Sequence, residues 1–423
     1  MALMIICKTC LKEFTQQSKY DIHIKRKISC KSSKINTSFN ENSDKLNKSL
    51  SKEIRKSQGI FFTPRKARDL LFQELDKLHV NPQHILEPSF GSGEFIDDAN
   101  IKYPDAKITG VEYNDTIFKT YKNPKATLIH HNFMTYTSDT KFDCIIGNPP
   151  YFVIKDKNPK CMVGRPNIYI AFLYKCLEEH LVNNGYLAFI LPTSLYNCSY
   201  YEPMRKYIYD NCTIHFVKTL DVKYYETAQD TMLIILQKKK DKSHKYIFNQ
   251  NKSVYISPYY KELKNIIKDT KTISELDLCV KTGSIVWNQE KKKLIDLDKD
   301  ATLLIYNTNI VDGKLVLNNI ISKDKKQYIK GITKLPINGK AILVNRGYGN
   351  VEYKFNYIMV DLKEFYAENH VNTILPKNKE SEKNLELVKK SFEDSRTSEF
   401  IQMFLGNGAM SKTEIESILP IFS

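Results

Sequence analysis

Between Gly59 and Lys240, short apolar β-type runs alternate with stretches whose apolar residues recur at helical spacing. No other feature constrains the fold as much. HILEP (84–88), KITGVEY (107–113), ATLIHHN (126–132), FDCIIGN (142–148), GYLAFILP (185–192) and DTMLIILQ (230–237) have the β-branched and aromatic content of strands. ARDLLFQELDKL (67–78) and YIAFLYKCLEEHL (169–181) each carry an apolar helix face. This alternation predicts an α/β fold, a parallel sheet covered by helices on both faces. After Lys240 the pattern is less regular, which suggests a separate α/β or α+β domain over 241–423. Residues 31–57 are rich in Ser, Asn and Lys with few large apolar residues, and are expected to form a flexible linker. The expected division is therefore 1–30, a small Cys/His unit; 31–57, the linker; 58–240, the α/β domain; and 241–423, a further domain.

A hydrophobic content of 42% is enough for a sizeable core and argues against global disorder. No apolar run approaches the roughly 20 residues needed to span a bilayer, and MALMIIC at the start is too short for a signal-peptide core. These features lead to the expectation of an intracellular chain without membrane contact, in which nine cysteines serve as thiols or metal ligands. The chain carries 64 basic and 48 acidic side chains, a net charge of +16. Residues 1–60 and 239–423 each contribute +8, while 61–238 are neutral with 20 of each sign. Basic flanks around a neutral middle suit a polyanionic partner, although Lys-rich surfaces also serve solubility alone.

Cys7 and Cys10 are separated by two residues, His23 follows Cys10 after twelve, and Phe14 and Tyr20 stand at core spacing between them. That pattern predicts a small ββα zinc finger, whose core is too small to fold without its metal. Cys30, after six intervening residues from His23, is the nearby candidate for a fourth ligand to a structural Zn2+. A single finger reads only about three base pairs, so contact with DNA and contact with protein are equal alternatives. Lys25, Arg26 and Lys27 follow its expected helix and are placed to hold phosphates.

The string Asn148-Pro149-Pro150-Tyr151 follows the apolar run FDCII directly. An Asn-Pro-Pro-aromatic tetrapeptide at the carboxyl end of a strand presents two acceptors side by side, the Asn148 side-chain oxygen and the Pro149 carbonyl. The prolines hold that loop by fixing φ. An exocyclic aromatic amine is a poor nucleophile because its lone pair is delocalised. Two acceptors gripping its N–H bonds localise that pair for attack on an electrophilic methyl, while Tyr151 offers a flat face to an extruded base. Upstream, LEPSFGSGEF (86–95) follows a strand and opens a helix, with Gly91 and Gly93 permitting a tight turn and close ligand approach. The next strand, ITGVEY, ends in Glu112, placed to accept both hydroxyls of a ribose.

With these motifs in this order, the chain resembles the adenine-N6 DNA methyltransferases of the gamma arrangement over roughly residues 57–240. The resemblance implies a Rossmann-like sheet that binds S-adenosylmethionine, followed by a target-recognition domain. GIFFTPRKARDLL (59–71) looks like their first cofactor segment, with Thr63 and Pro64 beside the methionine portion. Glu87, Pro88, Gly91, Gly93 and Phe95 fall in the matched glycine-rich loop, Glu112 and Tyr113 at the ribose, and Asn132 and Phe133 at the cofactor's adenine. Asn148, within the catalytic loop, is also implied as a cofactor contact. Asn132 stands where the family usually has Asp, an acceptor without the charge. The resemblance further implies that Tyr225 in YYETAQDTMLIILQKKK (224–240) contacts the flipped base opposite Tyr151. Cytosine-N4 enzymes more often carry Ser in place of Asn148. In the final segment, Ser411 and Glu414 form a capping box for the helix of FLGNGAMSKTEIESILPIF (404–422).

The expected activity is therefore site-specific methylation of adenine N6 in double-stranded DNA by a monomer. Two alternatives are methylation of RNA or of a protein glutamine amide, and a non-catalytic DNA-binding protein that retains the fold. The basic C-terminal domain favours DNA over the first, and the intact catalytic loop argues against the second. No nuclease domain is legible in the roughly 58 residues before the cofactor segment, so a restriction endonuclease is expected only as a separate partner.

Overall fold

The computed structural model describes residues 5–6, 13–14, 41–221, 230–240, 244–318, 324–347, 353–406 and 409–422. At the N-terminus, strands β1 (Ile5–Ile6) and β2 (Glu13–Phe14) pair antiparallel, Ile5 opposite Phe14. The expected zinc ligands Cys7, Cys10, His23 and Cys30 lie outside the described residues.

Much of the expected linker is ordered structure. Helices α1 (Glu41–Ser49) and α2 (Lys52–Gln58) occupy the stretch before the α/β domain. Leu46 and Leu50, one helical turn apart, are buried against Phe62 and Ile117, forming a small core of their own. Ser43 is fully buried, its hydroxyl 2.8 Å from both Ser92 Oγ and Glu94 Oε1. Local caps define α2: the Ser51 hydroxyl accepts from the Ile54 N–H, and Gly59 ends the helix in the left-handed conformation. Two leucines and two caps suffice to dock a segment that is otherwise polar.

The α/β domain is a seven-stranded sheet. Its strands are β3 (His84–Glu87), β4 (Lys107–Glu112), β5 (Ala126–His130), β6 (Phe142–Gly147), β7 (Leu181–Pro192), β8 (Thr213–Leu220) and β9 (Thr231–Gln237), in spatial order β5-β4-β3-β6-β7-β9-β8. The first five pair parallel, and β9 joins β7 and β8 antiparallel. Residues of β6 and β7 alternate between two cores: Ile145, Leu187, Phe189 and Leu191 on one face, Cys144, Ile146, Ala188 and Ile190 on the other. Near-continuous apolar runs are what a sheet buried on both faces requires. Helices α3 (Arg65–Lys77), α4 (Glu94–Lys102), α5 (Asp115–Thr120), α6 (Ile168–Lys175) and α7 (Glu202–Asn211) complete the layers. The helix expected over 169–181 is present with a change of pitch: it is α-helical through Lys175, the turns widen through His180, and β7 begins at Leu181.

The order in which the parallel strands are laid down reverses between β3 and β6: β4 and β5 extend one side of β3, and β6 starts the other. The carboxyl ends of those two strands therefore bound the crevice where α/β sheets of this kind bind ligands.

Beyond residue 244 a second seven-stranded sheet, mostly antiparallel, is built from strands between Leu278 and Pro376. Helices Asn384–Glu393 and Ser395–Phe404 cover it through Val388, Phe392, Phe400 and Phe404. The two sheets are tied together by buried polar contacts. The Asn197 side-chain amide donates to Glu414 Oε1 at 2.6 Å and accepts from the Gly406 N–H at 3.2 Å, and Thr193 Oγ1 donates to the Gly406 carbonyl at 2.5 Å. Glu414 also forms the capping box with Ser411, so one carboxylate both starts the last helix and holds it to the first domain.

Leu46 is 1% exposed, and truncating a leucine buried this completely typically costs 2–5 kcal/mol. Leu46→Ala is expected to destabilise the chain by about 2–3 kcal/mol in urea unfolding. A change under about 0.5 kcal/mol, as for an exposed site, would show that α1 is not docked.

Candidate active site

The glycine-rich loop leaves β3 at Glu87, and the catalytic loop leaves β6 at Gly147. At Gly147, φ is +153°, and a Cβ there would lie 2.5 Å from Glu87 Oε1. Only glycine allows the two strand ends to approach this closely. Gly93, at φ +84°, opens α4 with its Cα against the Tyr121 ring, where a Cβ would lie 2.0 Å from a ring carbon.

A cleft of about 350 Å3 lies over these strand ends. Of the residues singled out in the sequence, Pro88, Gly91, Glu112, Tyr113, Asn132, Phe133, Asn148 and Pro150 line it. Glu112 is 8% exposed; Oε2 accepts from the Gly91 N–H at 3.0 Å and Oε1 from the Asn114 N–H at 2.7 Å. The carboxylate thus pins the glycine-rich loop and keeps further lone pairs for a ligand. Burial raises its pKa, against the pull of those N–H groups. Asn132 caps the turn that follows it, accepting from the Met134 N–H at 3.0 Å.

Other predicted residues act from behind the cleft. Thr63 is buried, and its Oγ1 accepts from Asn148 Nδ2 at 3.0 Å. Pro64 precedes α3, and Phe95 lies in the core beside Ile96. Pro149 is buried inside the loop. Tyr151 is only 8% exposed, in contrast to the open stacking face expected from the sequence. Its hydroxyl lies within hydrogen-bond reach of both Asn148 Oδ1 and the Ile190 carbonyl, the latter at 2.8 Å. Its ring stacks on Phe61 at 6.1 Å and meets Tyr169 edge-on. Tyr225 lies outside the described residues.

Several cleft residues carry no motif signal. Gln58 arrives from α2 and accepts from the Asn114 amide at 2.7 Å; Ile117, His131 and Phe172 complete the walls. Phe61 and Phe62, two aromatics immediately before Thr63 and Pro64, were the available cue for the apolar floor.

Glu87 supplies the sharpest electrostatic feature. It is 1% exposed, its Oε1 accepts from the Ser89 N–H at 3.1 Å, and Oε2 has no hydrogen-bond partner among the described residues. Burial pushes its pKa well above the usual carboxylate range, and the nearby Glu112 charge adds to that. Glu87 does not line the cleft but stands directly behind Pro88, which does; an isolated buried carboxyl in such a place is matched by a cationic ligand group. S-adenosylmethionine carries such groups in its ammonium and sulfonium, and its ribose and adenine suit Glu112 and the apolar walls, so the residues present fit that cofactor. Among the described residues no cluster of His, Cys, Asp and Glu is arranged to hold a metal, and no helix is long and apolar enough to cross a membrane.

An α/β sheet with a glycine-rich loop and an Asn-Pro-Pro-Tyr loop facing each other at its switch point defines a methyltransferase. Residues 23–226 match the Eco57I restriction-modification methylase family. The type II methyltransferase M.CvrRI of Paramecium bursaria Chlorella virus XZ-6E is 33% identical over 91% of this chain and 99% of its own length. The modification methylase CviBIII of Paramecium bursaria Chlorella virus NC1A is 31% identical over 89% of this chain and 96% of its length. The type II methyltransferase M.AccI of Acinetobacter calcoaceticus is 27% identical over 55% of this chain and 47% of its length. The chain belongs to this family of restriction-modification methylases, and its cofactor is S-adenosylmethionine.

Because the folded pKa of Glu87 is raised, its ionisation opposes folding increasingly as pH rises above the ordinary glutamate value. Glu87→Gln is therefore expected to raise the melting temperature of the cofactor-free protein, by an amount that widens from pH 4 to pH 8, and to weaken S-adenosylmethionine binding. A pH-independent difference in melting temperature would show that Glu87 is not an isolated buried acid.

Proposed function

We propose that this enzyme transfers the methyl group of S-adenosylmethionine to the N6 amine of an adenine extruded from a specific site in duplex DNA. The observation that carries this reading is the position of Asn148: it borders the same cleft as Gly91 and Glu112, at the carboxyl end of β6. The cofactor supplies an electrophilic methyl. Asn148 Oδ1 and the Pro149 carbonyl accept the two N–H bonds of the target amine and localise its lone pair. As the N–C bond forms, the methyl's C–S bond would break with its electron pair left on sulfur, and the methylated amine, now acidic, would lose its proton to solvent, so no strong general base is needed. In the same reading Tyr151 and Tyr225 flank the extruded base, and the Tyr151 ring exchanges its Phe61 neighbour for the base on that face. Thr63, Pro64, Glu87, Glu112 and Asn132 serve the cofactor.

DNA is favoured over RNA or a protein amide for two reasons. The relatives that match nearly the whole chain are named as type II and modification methylases. The +16 excess also lies outside the neutral α/β domain, in flanks able to hold a phosphate backbone. Residues 241–423 are the proposed recognition domain, and 1–30 the proposed zinc finger with Cys7, Cys10, His23 and Cys30 as ligands. A separate restriction endonuclease partner is part of the same proposal.

Asn148→Ala is expected to lower methyl transfer to duplex DNA by at least about a hundredfold, the scale of losing a transition-state hydrogen-bonding group, while cofactor binding measured by calorimetry stays close to wild type. A wild-type rate would remove this loop from the chemistry. The zinc assignment predicts about one equivalent of zinc in the purified full chain by atomic emission, lost on His23→Ala; a metal-free chain of native stability would overturn it.

A further inference from the structure

We infer that Thr63 and Arg68 are positioning residues that fix the polarity of the Asn148 side-chain amide, so that its oxygen and not its NH2 faces the target amine. The inference rests on the proposed role of the Asn148 loop. A side-chain amide is nearly symmetric in shape, and a flipped Asn148 would offer donors to an amine that needs acceptors. The surroundings must therefore choose one orientation.

Among the described residues three groups hydrogen-bond the amide: Thr63 Oγ1 at 3.0 Å and the Phe61 carbonyl at 3.3 Å on its nitrogen, and the Tyr151 hydroxyl on its oxygen. The two hydroxyls are ambiguous, since each can donate or accept. Tyr151 has a single proton and two acceptors in reach, Asn148 Oδ1 and the Ile190 carbonyl. The Phe61 carbonyl can only accept. It opposes the flipped amide and so sets which edge faces Thr63, whose hydroxyl then accepts from the NH2 and holds it there, as long as the Phe61–Thr63 backbone stays within reach.

That backbone is held from inside. Arg68 is 3% exposed; its guanidinium donates to the Thr63 carbonyl at 2.5 Å and to Asp98 at 2.7 Å, and lies 3.1 Å from Glu94. Glu94 opens α4 at the end of the glycine-rich loop and also accepts from Ser43 of α1. A planar guanidinium fork thus joins the start of α3 to the start of α4, with the Thr63 carbonyl as one tooth of the clamp. Thr63 therefore does more than border the methionine portion of the cofactor: it turns the catalytic amide.

The test uses the full chain, duplex DNA and saturating S-adenosylmethionine, with melting temperature recorded for each variant. Thr63→Val keeps the shape but removes the acceptor, and is expected to lower kcat roughly tenfold or more, since small misplacements of a reacting group carry costs of this order; at saturating cofactor this loss stands apart from any loss of cofactor affinity, which is measured separately. Thr63→Ser restores the hydroxyl and is expected to recover kcat to within about threefold. Arg68→Lys keeps the charge for Glu94 and Asp98 but loses the fork, and is expected to lower kcat in the same selective way. If Thr63→Val does not fold, Thr63→Ala must show the same split. A wild-type kcat in these variants, or a loss confined to cofactor affinity, overturns the inference. A wild-type protein that methylates no adenine in DNA overturns instead the functional reading beneath it.

Discussion

The contact between Glu87 and Gly147 sets the geometry on which the rest of the site depends. It sits where β3 and β6 part, and no side chain fits between the carboxylate and the Gly147 Cα. Because the strand ends are this close, the loop that carries Gly91 and the loop that carries Asn148 open onto one cleft. The cost is a buried acid with one unpartnered oxygen among the described residues. Such an acid is unfavourable on its own and favourable beside a cation, which is the basis of its proposed role toward the cofactor.

Around that contact the chain uses buried polar groups as connectors. Arg68, Glu94, Asp98 and Ser43 link the first helix to the amino ends of α3 and α4, and Asn197 with Glu414 links the two sheets. Pairs buried this deeply contribute less to net stability than their Coulomb attraction suggests, but removing one partner is costly. Their use is geometric. Each fixes an angle between elements that apolar packing alone would leave looser, and each ends within a few residues of a loop that forms the cleft or of the seam between domains.

The α/β sheet was legible because its strands are apolar on both faces, so the runs at 142–148 and 230–237 are nearly continuous. The two loops were legible because Gly91, Gly93 and the Asn148–Tyr151 string each follow an apolar strand run and come in this order; singly, such glycines and prolines are ordinary strand exits. Helices α1 and α2 were not, since their burial rests on Leu46 and Leu50 within an otherwise polar stretch. The capping signals of Ser51 and Gly59 were present, but composition outweighed them. The burial of Tyr151 was also hidden, because its anchoring partner, the Ile190 carbonyl, is a backbone atom 39 residues away. Gln58 and Phe172 reach the cleft only through tertiary packing, which no local motif records.

The central claim is that the acceptors of the Asn148 loop act on an adenine amine in DNA. The most direct measurement is to incubate the purified chain with S-adenosylmethionine and unmodified duplex DNA, digest the product to nucleosides, and identify the methylated species by mass spectrometry against standards. The account predicts N6-methyldeoxyadenosine, confined to one sequence context. Methylation found only on cytosine, or only on RNA or protein supplied in parallel, would contradict it.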